Sequence, residues 1–348
     1  MPDVLCTLAL PEPFTRMVSA VASIRVLGRL PSALELRDEL RSRPVDVLCP
    51  QAADRIDAAL LDAGLPRLRG VSLFGVGYDN VDVAAATMRG IAIGNTPGVL
   101  TDATADLTMA LLLAVARRVA EGDQVMRRGS FPGVQPDFML GTELGGAVLG
   151  IVGFGRIGQA VARRARGFGM RLGVWTVPAG PVPDDLAGSI RTFPSLADLL
   201  AEADVVTLHT PLTAETRHLI GEAELRRMKP TAILVNTSRG AVIDEPALVR
   251  ALEEGWIAGA GLDVYELEPR LAPGLAECRN SVLTPHLGSA TVATRAAMAE
   301  LVAVNALAML AGELPPHCVN PAVRMRAAFP SAGPSPADAP GGREGAAG

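Results

Sequence analysis

Short runs of consecutive apolar residues alternate along almost the whole chain with stretches whose apolar positions recur at helical spacing. Continuous apolar runs suit strands buried on both faces, and their alternation with helical patterns predicts an α/β protein of parallel sheets covered by helices. In the first part the strand-like runs are "DVLC" twice, at residues 3–6 and 46–49, then "GVSLFGVG" and "GIAIGN". Between them "SALELRDELRSR" and "DRIDAALLDAG" read as helices, and this series ends near Pro97. One long helix is then predicted from about Thr101 to Arg128, followed by a loop rich in Gly, Pro and aromatic residues, "GSFPGVQPDFMLG". A second series starts at Ala147 with "AVLGIVG", "RLGVWT", "DVVTLH", "TAILVN", "IAGAGLDV" and "SVLTPH". The helical "TRAAMAELVAVNALAMLAG" after it is rich in Ala and Leu and is able to fold back on the first series. The last stretch, "AAFPSAGPSPADAPGGREGAAG", buries too little surface to offset its ordering, so residues 325–348 are expected to be a disordered tail.

A chain of 348 residues exceeds what one hydrophobic core usually organises, so two lobes are expected. The net charge of −5 and the absence of a basic stripe argue against binding nucleic acid, which requires cations to displace phosphate counterions. The apolar run in "DATADLTMALLLAVARRVAEG" is interrupted by charge before the roughly 20 residues a bilayer requires, so no membrane partner is expected. The start, "MPDVLCTLALPEPF", lacks the basic segment and cleavage site of an export signal. Cys6, Cys49, Cys278 and Cys318 are far apart and form no C-x-x-C pair, which suggests neither a disulfide framework nor a zinc site. The scattered histidines give no local ligand pair, so no metal is expected. A reducing cytoplasm fits this usage.

Gly153, Gly155 and Gly158 form G-x-G-x-x-G directly after an apolar strand and directly before the helical "RIGQAVARRARGFG". The first glycine permits a tight turn, the second lets backbone approach a pyrophosphate, and the third lets helix and strand pack closely. A dinucleotide is the implied ligand. An acidic residue closing the next strand would bind the ribose 2′-hydroxyl, but that strand ends in Thr176, followed by Val177 and Pro178. Without the carboxylate a 2′-phosphate is not repelled, yet no Arg or Lys stands at 177–180 to attract it. NADP(H) or NAD(H) is expected, with a slight preference for NADP(H).

Three later strands each end in polar groups: Arg239 after "AILVN", Asp263 and Glu268 after "GAGL", and His286 after "SVLTP". Ligands of open α/β sheets bind at the carboxyl ends of the strands, so these side chains are able to converge on the nicotinamide. An arginine grips a carboxylate through two parallel hydrogen bonds. A histidine exchanges the proton that accompanies hydride transfer at a carbonyl, and an adjacent carboxylate favours the protonated ring. Taken singly, His286 also reads as a strand-end histidine and Arg239 with Glu268 as a surface ion pair. His209 reads either as the cofactor rim or as a strand cap, and His218 and His317 as surface residues.

The strings "GFGRIGQAVARR", "NTSRGAVIDEPALVRALEEGWIAGAGLDVYELEP" and "LTPHLGSAT" resemble, in order, the D-isomer-specific 2-hydroxyacid dehydrogenases, and the resemblance extends to about Pro321. Within that family "NTPGVLTDATADLTMALLLAVARR" and the following "QP" look similar to glyoxylate/hydroxypyruvate reductases. The resemblance implies a Rossmann-type cofactor lobe over 99–287 inserted into a flavodoxin-like substrate lobe made of 1–98 and 288–322, with the active site in the cleft between them. It implies that Arg239 binds the substrate carboxylate and carbonyl, that His286 is the general acid/base and that Glu268 is its carboxylate partner. Val76 and Gly77 would offer backbone N–H groups to the substrate carboxylate, while Asp263, Gly288 and Ser289 would hold the carboxamide. Thr104, Arg156, Ile157, Thr176, His209, Thr210, Pro211, Thr216, Thr237 and Ser238 would join the glycines around the cofactor. Reduction of a small 2-oxo acid to the D-2-hydroxy acid and a homodimer built through the cofactor lobe follow from the same resemblance. Phosphoglycerate, D-lactate, formate and phosphite dehydrogenases, and a non-catalytic NAD(H)-sensing scaffold of the corepressor type, share the architecture. Two positions depart from the family: Val177 stands where NADPH-preferring relatives often have arginine. Val134 stands where the reductases often carry a tryptophan able to shape the partner subunit's substrate pocket.

Overall fold

A computed structural model describes residues 1–178 and 180–325. From residue 326 onward the expected disordered tail lies outside the described residues. The chain divides into two units, Met1–Thr96 with the segment from Ala299, and Pro97–Met298.

In the first unit the strands are β1 (Asp3–Cys6), β2 (Ser23–Val26), β3 (Val47–Cys49), β4 (Gly70–Ser72) and β5 (Ala92–Gly94). They alternate with α1 (Glu12–Val18), α2 (Ala33–Ser42), α3 (Ala58–Gly64) and α4 (Val83–Met88). The sheet is wholly parallel in the order β2-β1-β3-β4-β5, the flavodoxin-like arrangement. Its central strands are buried on both faces, which explains their unbroken apolar runs: Val4, Leu5, Val47, Leu48 and Val71 have no exposed surface. Side-chain caps fix where the helices begin. Ser32 and Glu35 form a reciprocal capping box on α2, and Asp57 and Asp82 accept from the first turns of α3 and α4.

The second unit contains β6 (Val148–Val152), β7 (Arg171–Trp175), β8 (Ile190–Thr192), β9 (Val205–Leu208), β10 (Ile233–Asn236), β11 (Gly259–Leu262) and β12 (Ser281–Leu283). Its helices are α5 (Thr101–Ala116), α6 (Val119–Arg127), α7 (Arg156–Gly167), α8 (Leu196–Glu202), α9 (Glu222–Arg227) and α10 (Glu245–Glu253). The parallel order β12-β11-β10-β9-β6-β7-β8 winds outward in both directions from β6, as in Rossmann folds. The chain reverses direction across the sheet between β6 and β9. That switch point is where such a sheet opens a ligand crevice.

The last helix, α11 (Val292–Ala311), continues past the second junction into the first unit. Its length and composition would let it cross a bilayer, but its contacts make it a core helix. Val302, Ala303, Ala306 and Met309 are fully buried, Ser72 donates to the Val302 carbonyl, and a side chain at Gly70 would overlap Met309. This second junction falls beyond residue 288, because Gly288 is held to the second unit through its N–H on Asp263 and its carbonyl on Thr104.

The single helix expected over 101–128 is two. Arg118 adopts a left-handed conformation (φ 52°) between α5 and α6. The cause is distant in sequence: the Thr142 N–H takes the Ala116 carbonyl at 2.8 Å, and Gly141 lies so close that a side chain there would overlap that oxygen. Local periodicity carries no sign of such a break. The edge strands β2 and β8 also escaped the pattern, since "SIRV" and "IRT" are short and partly exposed.

Candidate active site

The glycine motif sits at the switch point. Gly153 turns at φ 91°, and a Cβ there would lie 2.8 Å from the His209 carbonyl group and 2.9 Å from the Thr210 nitrogen, so the turn after β6 presses directly on the end of β9. Only glycine tolerates both demands. A side chain at Gly158 would overlap the Gly153 carbonyl oxygen, which is how α7 packs tightly onto β6. Gly155 is different: its added Cβ would meet nothing within 4 Å. It caps α7 without a side-chain hydrogen bond, leaving the first N–H groups of a 12-residue helix for an anion, with Arg156 and Ile157 in the first turn.

Two polar atoms at the end of β9, His209 Nε2 and Thr210 Oγ1, are buried without a hydrogen-bond partner among the described residues. Burial pushes the His209 ring down to about 3, so the ring is neutral. Orphaned polar atoms beside an open anion-binding helix start fit the polar edge of a dinucleotide. A nicotinamide dinucleotide would therefore place its pyrophosphate on Gly153–Gly158 and meet His209 and Thr210. Thr176 follows β7, whose Trp175 carbonyl accepts the Gly153 N–H at 2.9 Å. Asp185, the acidic residue nearest in sequence with a visible partner, is gripped bidentately by Arg163 at 2.6 and 3.0 Å.

Arg239, Asp263 and His286 follow the carboxyl ends of the adjacent strands β10, β11 and β12. His286 Nδ1 lies 2.9 Å from Glu268 Oε2, and the Tyr265 N–H donates to Glu268 Oε1 at 3.0 Å. Burial pushes the Glu268 carboxyl up; the hydrogen bond and charge of His286, the Tyr265 N–H and the Arg239 charge outweigh it and leave the group below the usual carboxylate range. An ionised Glu268 keeps the proton on Nδ1 and presents Nε2 for exchange. His286 itself holds a left-handed backbone (φ 55°), an unfavourable state for a histidine.

The supporting groups explain that strain. Asp263, 1% exposed, accepts from Thr284 Oγ1 (2.6 Å), the Leu287 N–H (2.6 Å) and the Gly288 N–H (2.8 Å), so its carboxylate folds the 284–288 turn around His286. Thr104 donates to the Gly288 carbonyl, and the carbonyl of Ser289 accepts from Arg295. Asn236, fully buried, shapes the other loop: Oδ1 accepts from the Ser238 N–H and hydroxyl, and Nδ2 donates to the Arg239 carbonyl. Gly240 brings this loop against Tyr265 and Glu266, where any side chain would overlap backbone. Thr237 shares a 2.9 Å hydroxyl contact with Thr108, and the Thr216 hydroxyl donates to the Pro211 carbonyl, closing the 211–216 turn.

Sequence reasoning missed Asn236 and Tyr265. Their signal is position alone, one at a strand end and one in a strand-following loop. His218 is exposed, as expected, with Nε2 2.9 Å from Glu266 Oε1. In the first unit, Val76 and Gly77 stand in the partly buried loop that follows β4.

The family model for the NAD binding domain of D-isomer specific 2-hydroxyacid dehydrogenases matches residues 109–288. A glyoxylate reductase of Thermococcus litoralis is 48% identical over 92% of this chain and 97% of its own length. The chain belongs to the D-isomer specific 2-hydroxyacid dehydrogenase family. A second glyoxylate reductase, from Thermococcus kodakarensis, is 50% identical over 92% of this chain and 96% of its own. Among solved structures, the NADPH-dependent glyoxylate/hydroxypyruvate reductase of Sinorhizobium meliloti in complex with NADP and malonate is similar, with a TM-score of 0.80, 33% identity, and coverage of 94% of this chain and 99% of that one. This 2-hydroxyacid dehydrogenase is thus an oxidoreductase of CH–OH groups with a nicotinamide-binding Rossmann unit.

Proposed function

We propose that the protein reduces glyoxylate or hydroxypyruvate to the D-2-hydroxy acid, using NADPH somewhat better than NADH. The observation that carries the reading is the His286–Glu268 pair at 2.9 Å, with Arg239, Glu268 and His286 following the consecutive strands β10, β11 and β12. When bound, the reduced nicotinamide supplies the hydride. Arg239 holds the substrate carboxylate and polarises its carbonyl. The imidazolium form of His286 delivers its Nε2 proton to the oxygen of that carbonyl as the hydride reaches the carbon, which leaves the ring neutral with Nδ1–H still donating to the ionised Glu268. Val76 and Gly77 take the substrate carboxylate through backbone N–H groups. The names of the similar reductases from Thermococcus and Sinorhizobium support the substrate class.

NADPH preference is supported by Thr176 in place of an acid and by the engagement of Asp185 with Arg163. A homodimer through the second unit is supported by its exposed apolar groups on α6 and the loop after it: Val119, Met126, Phe131, Val134 and Leu140. Free cysteines support a cytoplasmic setting. The test is a panel of 2-oxo acids assayed with each reduced cofactor at the nicotinamide absorbance, alongside His286→Ala. Turnover highest with glyoxylate or hydroxypyruvate, and lost in the variant with NADPH binding retained, is the expected result. A variant with unchanged turnover refutes the role of His286, and preference for another acid refutes the substrate.

A further inference from the structure

In the first unit, the protein holds the carbonyls of Gly75 and Val76 but, among the described residues, not the N–H groups of Val76 and Gly77. The Gly75 carbonyl accepts from the Thr96 N–H at 3.0 Å, and the Val76 carbonyl accepts from Asn95 Nδ2 at 2.8 Å. Both donors come from one dipeptide directly after β5. A trans peptide is planar, with its N–H antiparallel to its C=O, so a carbonyl held on one side aims the next residue's N–H to the opposite side. Holding the Gly75 carbonyl aims the Val76 N–H, and holding the Val76 carbonyl aims the Gly77 N–H. The two therefore point away from residues 95–96 together. Among the described residues neither N–H has an acceptor. A pair of successive free N–H groups aimed to one side is a concavity for an anion.

The dipeptide is itself anchored. Asn305, fully buried on α11, donates from Nδ2 to the Asn95 carbonyl at 2.9 Å, which by the same planarity turns the Thr96 N–H toward Gly75. The Asn95 N–H donates to the His317 carbonyl, and the His317 N–H donates back to Asn305 Oδ1.

We infer that Asn95 is a positioning residue for substrate binding: its side-chain amide, on a peptide anchored by Asn305, pre-aims the Val76 and Gly77 N–H groups at the carboxylate of the 2-oxo acid. The inference rests on the functional reading above. A contact to the carboxylate is made equally in the bound substrate and in the transition state, so its loss raises KM and spares kcat. In Asn95→Ala, KM for glyoxylate at saturating NADPH should rise about 10-fold or more, the equivalent of about 1.4 kcal/mol per tenfold. The variant's kcat should stay within about threefold of wild type, and its Kd for NADPH and Tm should be near wild type. Inhibition by oxalate, which presents the same carboxylate, should weaken by the same factor. Asn95→Leu keeps the volume and removes the donor, and serves if the alanine variant is unstable. A folded variant whose KM and oxalate inhibition stay within twofold of wild type overturns this inference alone, as does a fall in kcat with KM unchanged. Failure of the wild-type enzyme to reduce any 2-oxo acid overturns the functional reading and this inference together.

Discussion

Gly155 and Gly158 stand three residues apart in one motif, yet the structure separates what each does. At Gly158 an alanine methyl would overlap the Gly153 carbonyl oxygen and stand 3.3 Å from the Ile151 side chain. The obstacle is backbone, so α7 must shift off β6. Overpacking of this kind costs about 1–3 kcal/mol, or a fall in Tm of roughly 2–12 °C in a unit this size. At Gly155 the same methyl meets nothing within 4 Å, and its backbone (φ −75°, ψ −166°) is open to any residue. Folding should lose at most about 1 kcal/mol, the difference between Gly and Ala at an N-cap. The space it fills is where a pyrophosphate would approach the first N–H groups of α7. Displacing the anion weakens about two hydrogen bonds to a charged group, together about 3 kcal/mol, or roughly 100-fold in Kd. Fluorescence titration with NADPH and NADH gives Kd, and melting with and without cofactor gives stability. Gly155→Ala should melt near wild type yet gain little from added cofactor; Gly158→Ala should melt early. A Gly155→Ala protein that binds either cofactor within about threefold of wild type would show that the phosphates do not lie over this turn.

Acid should weaken the second unit through His209. Its folded pKa, lowered by burial to about 3, lies below the unfolded value near 6.5, so the unfolded chain binds the extra proton. The stability this provides is complete above about pH 6.5 and is lost as pH falls, by about 2 kcal/mol at pH 5. A Tm series from pH 7.5 to 5 should therefore slope downward and flatten in His209→Gln, while equal slopes in both proteins would rule the histidine out. Glu268→Gln should lower kcat about 10- to 100-fold with KM for the 2-oxo acid changed less, because it removes the anion that orients Nδ1 and stabilises the charged ring. Because the folded Glu268 carboxyl lies below its usual range, its contribution to stability is present above about pH 4.3 and lost as pH falls through the folded value. Retention of full kcat in the glutamine variant would show that the pairing at 2.9 Å is structural only.

The amino-acid sequence by itself determined the alternation of strands and helices, the dinucleotide turn at Gly153–Gly158, and the identity of the chemical groups at Arg239, Glu268 and His286. These are local properties: burial on both faces shows as unbroken apolar runs, and a pyrophosphate turn requires glycines at fixed offsets. Tertiary structure alone decided how those groups are held. The left-handed state of His286 depends on the Asp263 carboxylate, more than twenty residues earlier, taking the N–H groups of Leu287 and Gly288. The break at Arg118 depends on Gly141 and Thr142. Asn95 reads as one polar residue in a loop until the fold sets it against the Val76 carbonyl and beneath Asn305 on a helix some 200 residues away. Hydrogen-bond direction and close backbone approach arise between segments distant in the chain, so no local pattern of residues encodes them in readable form.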